Sequence, residues 1–444
     1  MTFGAAERGA YHLLSSDREH PLPMLSNLLV LLVLGANLLF SGFISGWASM
    51  QLFLIDEDQY HDRCESPSVR CAAQESQLAL IYGLAQFTTT LSSFPAGLFL
   101  DKAGPVATSL VAGAFSAVGF ALMAVSDSVT FDAFIEGYCL IGVGGTLTLL
   151  TSFQAGFVHL PWQTLVLAAA NCLFDASAVM PSVLYALHTA LGLSRQTLLL
   201  VYAGLALAVY PLVAICWHLH RGTKEVKEEK RLAISWTTQL ISLPFGFLAV
   251  FASVHNLQSA IFFGTVNRML AVDGDQRLVY TRAFGWVLPV GFLAVPLLHA
   301  VVRKYSVLGA MFSTSLLCVG YHAFLLVPSL ELQPITFVLF TIFRGFLYST
   351  VAAFGAETFG EASLGSLLGA LYSLCALVAL CQVPIVVAAN AAPRWAQHMY
   401  IVSLATAVCM LGVLECYRRY HSVRPVTTES EGTRDLPTSR LLSS

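Results

Sequence analysis

Gly97-Leu98-Phe99-Leu100-Asp101-Lys102-Ala103-Gly104-Pro105 is the stretch whose reading decides the fold. It is a short charged tip between two long apolar runs, 77–99 and 105–125. A helix rises about 1.5 Å per residue, so about 20 apolar residues span the hydrocarbon core of a bilayer. Each flanking run has that length. The connection leaves room only for a tight reversal. Gly97 permits close helix packing, Gly104 permits a positive φ, and Asp101 can sit against a helix N-terminus. The stretch reads as the turn of a hairpin made of two membrane-spanning helices.

Working outward, the same kind of run recurs along the 444 residues. Twelve are predicted: 27–54, 77–99, 105–125, 131–152, 163–187, 196–216, 237–263, 281–301, 306–327, 334–356, 366–388 and 398–416. The chain is 56% hydrophobic and only 11% charged, against about 25% charged in soluble domains. It is read as an all-α polytopic membrane protein. Residues 1–26 carry Glu7, Arg8, Asp17, Arg18 and Glu19 before any apolar run, which is not the pattern of a signal peptide.

Twelve spans put both termini on one side. With that side cytosolic, fifteen Lys and Arg fall inside and seven outside, and Arg344 falls in the membrane. This bias follows the positive-inside rule. The acidic loop 55–76 then lies outside, with Cys64 and Cys71 in it. A Cys64–Cys71 disulfide is expected if that side is oxidising. The other eight cysteines lie in or at the ends of apolar runs, where a thiol behaves as a small hydrophobe. No CxxC, HExxH, P-loop, GxSxG or GxGxxG pattern occurs, and neither does an N-x-S/T sequon. No cofactor, metal site, nucleic-acid surface or enzymatic constellation is expected.

The longest polar stretch between spans lies at 217–236 and divides the chain. The expected plan is a cytosolic arm 1–26, a six-helix bundle 27–216, a cytosolic linker 217–236, a second bundle 237–416 and a cytosolic tail 417–444. The hairpin tip at 97–105 resembles the G-x-x-x-D-(R/K)-x-G signature of the major facilitator superfamily, whose members join two six-helix bundles in this way. The resemblance implies that Gly97, Asp101, Lys102 and Gly104 secure the two halves at the cytosolic end. The corresponding second-half loop, Arg303 to Gly309, lacks the acid.

A narrower resemblance covers most of the chain. It is carried by Gly46-Trp47-Ala48-Ser49, the Cys64 to Gln74 loop, Phe94-Pro95-x-Gly97, and Gly144-Gly145 with Ser152-Phe153-Gln154. It continues in Asn171-x-x-Phe174-Asp175-Ala176-Ser177, Phe263-Gly264-x-x-Asn267-Arg268, Arg344-Gly345-Phe346 and Phe359-Gly360. These stretches resemble solute carrier family 43, facilitative carriers of large neutral amino acids and of purine nucleobases. The chain is shorter in its central loop than that resemblance leads one to expect. The function so implied is Na⁺-independent uniport of a large neutral amino acid. A purine nucleobase is the alternative, and a non-transporting receptor or scaffold a third reading. The chain is expected to act as a monomer in the plasma membrane, with a lysosomal or vacuolar membrane as the alternative.

The candidate site starts from two charges near the expected bilayer midplane. Asp175 lies in the run 163–187 and Arg344 in 334–356. Charges there are costly and mark a solute path or a pair. Arg344 offers a bidentate fork for a carboxylate, and Asp175 can accept from an ammonium. The competing reading pairs them with each other. Asn171 shares a helix face with Asp175, and Tyr348 shares one with Arg344. Ser45, Gly46, Thr151, Gln154 and Asn256 complete the expected solute-binding set. Glu357 joins the gating set, and a hydrogen-bonded His255 is weighed against a proton-coupling one.

Overall fold

The computed structural model describes residues 23–64, 72–222, 235–275, 279–287, 291, 293–391 and 393–423. Among these the chain is helical. Ten helices are long and apolar enough to cross a membrane. Two of the ten are each two helices joined end to end. α3 (Ala72–Val125) has 54 residues and would be roughly 80 Å long if straight, far beyond a ~30 Å core. It breaks at Gly104, where φ is 79° and ψ 172°. α11 (Ala294–Leu325) breaks in the same way at Ser306, with φ 73° and ψ 175°. Counting each break as a reversal gives twelve spans.

The remaining elements follow in order. α1 (Pro23–Ala36) and α2 (Trp47–Asp56) form the first span around an irregular stretch at 37–46. α4 (Phe134–Gln154) is the fourth span. α5 (Gln163–Ser177) and α6 (Met180–Leu191) form the fifth. α7 (Arg195–Gly222) closes the first half and runs six residues beyond the predicted end at 216. The short α8 (Trp236–Leu240) precedes α9 (Leu243–Val272), α10 (Val279–Val287), α11 and α12 (Gln333–Phe359). α13 (Leu364–Ala379), α14 (Gln382–Ala391) and α15 (Pro393–Val423) complete the chain.

The fifth and eleventh spans are each broken, into α5 and α6 and into α13 and α14. Pro181 sits in the first turn of α6, and Pro384 sits just inside α14. A proline lacks the N–H for the preceding turn and clashes with its carbonyl, so each helix restarts there.

Each half fills its interior with rings. In the first half Phe40, Phe43, Phe120 and Tyr202 meet edge to face or tilted, with Phe120–Tyr202 centroids 4.8 Å apart. In the second half Phe262 packs 4.2 Å from Phe340, with Phe284 and Tyr321 beside them. Among the described residues eight cysteines are free, at the positions where thiols were expected to act as hydrophobes. The expected partner of Cys64, Cys71, lies outside the described residues, as does 223–234 of the linker.

Candidate functional site

The first span is irregular where it meets the fifth. A wide turn at Asn37–Ser41 runs into Gly42 and a tight turn at Phe43–Gly46. A broken helix at membrane depth must find partners for its freed carbonyls. It does so inside the protein. Tyr202 donates to the Leu39 carbonyl at 2.6 Å, and Tyr138 donates to Ile44 at 3.0 Å. The Gly42 carbonyl accepts from the Ser45 N–H at 3.0 Å. Asn37 donates to the Ala170 carbonyl at 2.6 Å and ties the break to α5. A Cβ at Gly46 would lie 2.6 Å from Pro181 Cγ. Gly46 thus allows close packing against the start of α6. Ser45 is exposed.

One turn of α5 reaches across to the second half. Asp175 Oδ1 lies 3.1 Å from Arg344 Nη2. Asn171 Nδ2 donates to the Leu167 carbonyl at 3.0 Å and also approaches the Tyr348 carbonyl at 3.4 Å. Cys172 Sγ approaches the Gly291 carbonyl at 3.8 Å. The two charges meet each other, as the competing reading had it. Both stay reachable, with 21% of the Arg344 side chain and 38% of the Asp175 side chain exposed.

The guanidinium sits between two rings, 4.9 Å from the Phe263 centroid and 5.7 Å from that of Tyr348. Such contacts compensate a partly desolvated cation. Its Nε is buried with no hydrogen-bond partner among the described residues. Tyr348 in turn donates to Asn256 Oδ1 at 3.0 Å, and Asn256 approaches the Cys375 carbonyl at 3.5 Å. The structure therefore gathers Asn171, Asp175, Asn256, Arg344 and Tyr348 from α5, α9 and α12 into one cluster. Phe263 belongs to it and was missed. The signal was available, because Asn256 and Phe263 are seven residues apart, two turns along one helix face.

Thr151 and Gln154 fall elsewhere. Thr151 donates back to the Leu147 carbonyl at 2.7 Å. It lines a crevice inside the first bundle with Ser109, Thr148 and Tyr210, which has room for about one water. A helical threonine bonding its preceding turn has no hydroxyl proton left for a solute. Gln154 Nε2 reaches the Glu361 carbonyl at 3.3 Å, at one end of the molecule.

That end is where the halves are joined most closely. Asp101 Oδ1 accepts the Gly365 N–H at 3.0 Å, and Oδ2 accepts the Ser366 N–H at 2.6 Å. These are free donors of the first turn of α13, and the carboxylate also meets the positive end of its dipole. The approach needs glycine. A Cβ at Gly97 would strike the Gly365 carbonyl, and one at Gly365 would lie 2.6 Å from Asp101 Oδ1. At the same end Trp162 stacks on His299, with centroids 6.0 Å apart and planes 8° apart. This contact between the halves was also missed, since a tryptophan at a loop end carries no signal of its partner. Lys102 and Glu357 are exposed there. His255 is hydrogen-bonded at both ring nitrogens, to Gln258 at 2.8 Å and Ser315 at 2.9 Å, inside the second bundle.

The arrangement is two six-helix bundles around a central polar cluster, the fold of major facilitator superfamily transporters. The human organic anion transporter MFSD10 (TETRAN) superposes with a TM-score of 0.61 at 15% identity, over 88% of this chain and 100% of its own. No protein-family model matches the chain. Its sequence relatives include several proteins named as transporters. Equilibrative nucleobase transporter 1 of Bos taurus is 24% identical over 78% of this chain and 86% of its own length. Large neutral amino acids transporter small subunit 3 of Homo sapiens is 21% identical over 79% of this chain and 86% of its own.

Proposed function

We propose that this chain carries a small, net-neutral polar solute across a membrane by alternating access, as a Na⁺-independent uniporter. The supporting observation is the Arg344–Asp175 pair, joined at 3.1 Å between the halves with both side chains partly exposed. The pair is neutral overall, so it suits a solute that is neutral overall. A large neutral amino acid fits its chemistry best. The solute carboxylate takes the Arg344 fork and its ammonium takes Asp175, exchanging one ion pair for two. Asn256 and Tyr348 border the site. The Asp101 contact with α13, the Gln154 contact and the Trp162–His299 stack form the gate at the expected cytosolic end. Among the described residues no cluster of three or more His, Cys, Asp or Glu could hold a metal ion.

The second reading is a purine nucleobase, and the rings of Phe263 and Tyr348 beside Arg344 favour it, because a planar base stacks on such surfaces. Uptake into proteoliposomes separates the readings. Leucine, phenylalanine and methionine are offered alongside adenine, with Na⁺ or choline outside. Uptake of the amino acids in both salts supports the first reading, and uptake of adenine alone supports the second. Uptake that collapses in choline rules out Na⁺-independent uniport.

A further inference from the structure

We propose that the Asp175–Arg344 pair is the element that lets the carrier change state with no solute bound, and so makes net flux possible. The inference rests on the transport reading, and it concerns the return step, not the loaded one. Asp175 belongs to the first half and Arg344 to the second, and the pair at 3.1 Å bridges them. Asn171 and Cys172, from the same turn of α5, touch the second half at the Tyr348 and Gly291 carbonyls. The bridge therefore lies on a seam where the halves already meet, near the expected midplane. Rocking of two bundles about a central site moves their ends most and their middle least. A contact at this depth is the kind that survives the motion.

When the site closes between its two open states, water leaves it. A lone guanidinium or carboxylate left there is strongly disfavoured, and a closed pair is not. Arg344 is set for this role. Its Nε has no hydrogen-bond partner among the described residues, and its other neighbours are the Phe263 and Tyr348 rings. Among the described residues Asp175 is the carboxylate it pairs with. Removing either charge blocks the closed intermediate of the empty carrier. Removing both restores it.

The test reads motion without any solute. Donor and acceptor fluorophores are placed at the exposed positions Val129 and Val327, one in each half. Energy transfer is followed on single molecules in liposomes holding the full chain and no added amino acid or base. Wild type is expected to interconvert between two transfer levels. Asp175→Asn and Arg344→Gln are each expected to slow that interconversion by about tenfold or more, since a higher closed intermediate is a higher barrier. Asp175→Asn combined with Arg344→Gln is expected to regain it. A single charge variant that interconverts at the wild-type rate overturns the inference, and so does a wild type that stays at one level. Leucine and adenine uptake is measured on the same samples. A double variant that regains interconversion and takes up no leucine supports both the return step and the solute clamp. One that regains leucine uptake keeps the return step and removes the clamp, so the two failures are told apart.

Discussion

Among the described residues Arg195 is buried and Arg344 is half-buried, and the two arginines are treated differently. Arg195 has 5% of its side chain exposed and lies inside the first half. Its Nε meets Glu57 at 2.6 Å, Nη1 donates to the Met123 carbonyl, and Nη2 donates to the Ser126 carbonyl at 2.9 Å. The Phe134 ring lies 5.2 Å below it. It clasps the ends of α2, α3, α4 and α7. Arg344 bridges the halves through a single carboxylate, keeps an unpartnered Nε, and stays reachable. Saturated donors hold a fixed structure. A partly supplied cation leaves capacity for something that comes and goes.

The largest expected effect breaks the comparison at Arg344. Arg344→Ala should reduce leucine or adenine uptake by roughly a hundredfold or more while surface expression stays near wild type. Arg344→Lys should do almost as badly, because an ammonium cannot reproduce the planar fork. If Arg344→Ala instead fails to reach the membrane, Arg344 is a clasp like Arg195 and the contrast collapses.

Arg195→Ala is the mirror experiment. It strands two buried carbonyls and leaves the half-exposed Glu57 unpaired, a loss below the roughly 3–5 kcal/mol of breaking a fully buried pair. The expected outcome is a clear loss of thermal stability and expression. Transport per folded molecule is expected to hold. A melting curve that overlays wild type would show that the clasp is idle.

A smaller effect is expected where the halves meet. In Gly97→Ala the new methyl has nowhere to go except into the Gly365 carbonyl. Overpacking of this kind costs about 1–3 kcal/mol. The cost falls only on the state with that end closed. Labels at Leu160 and Tyr305, both exposed, should move apart on average. An unchanged distance would mean that the Asp101 end does not open in the cycle.

The fold was legible because hydropathy is a property of the chain itself. Twenty apolar residues between charged tips leave few choices, and the Asp101 turn fixed the first hairpin. What escaped the sequence was pairing across space. Asp175 and Arg344 were visible as costly charges, but whether they meet each other or a solute depends on the approach of two helices 169 residues apart. Thr151 looked polar and lines the wrong space, because helix rotation decides which way a residue faces. Trp162 and His299 carried no signal at all. Arg195 was counted as one outer-loop charge, although its place at the first residue of α7 put it beside the ends of three other helices.

The second-half turn sharpens the contrast between a well-supplied position and a strained one. The loop from Arg303 to Gly309 lacks the acid of the first half and reads as a degraded copy. Its backbone is not degraded. Ser306 has φ 73° and ψ 175°, against 79° and 172° at Gly104. That region is open to glycine and costs other residues about 1–3 kcal/mol. The first half meets the demand with Gly104, and the second half holds a serine there. Ser306 is exposed, so its side chain has little packing to lose. Ser306→Gly should therefore raise stability by about 1 kcal/mol, since relief of strain outweighs the extra freedom that glycine gives the unfolded chain. In a chain of this size that is a rise of about 2 °C in a thermal melt. Gly104→Ser should lower stability by a similar amount or more. If Ser306→Gly is neutral or destabilising, the turn at 306 is not a strained copy of the one at 104, and the two hairpins reverse by different means.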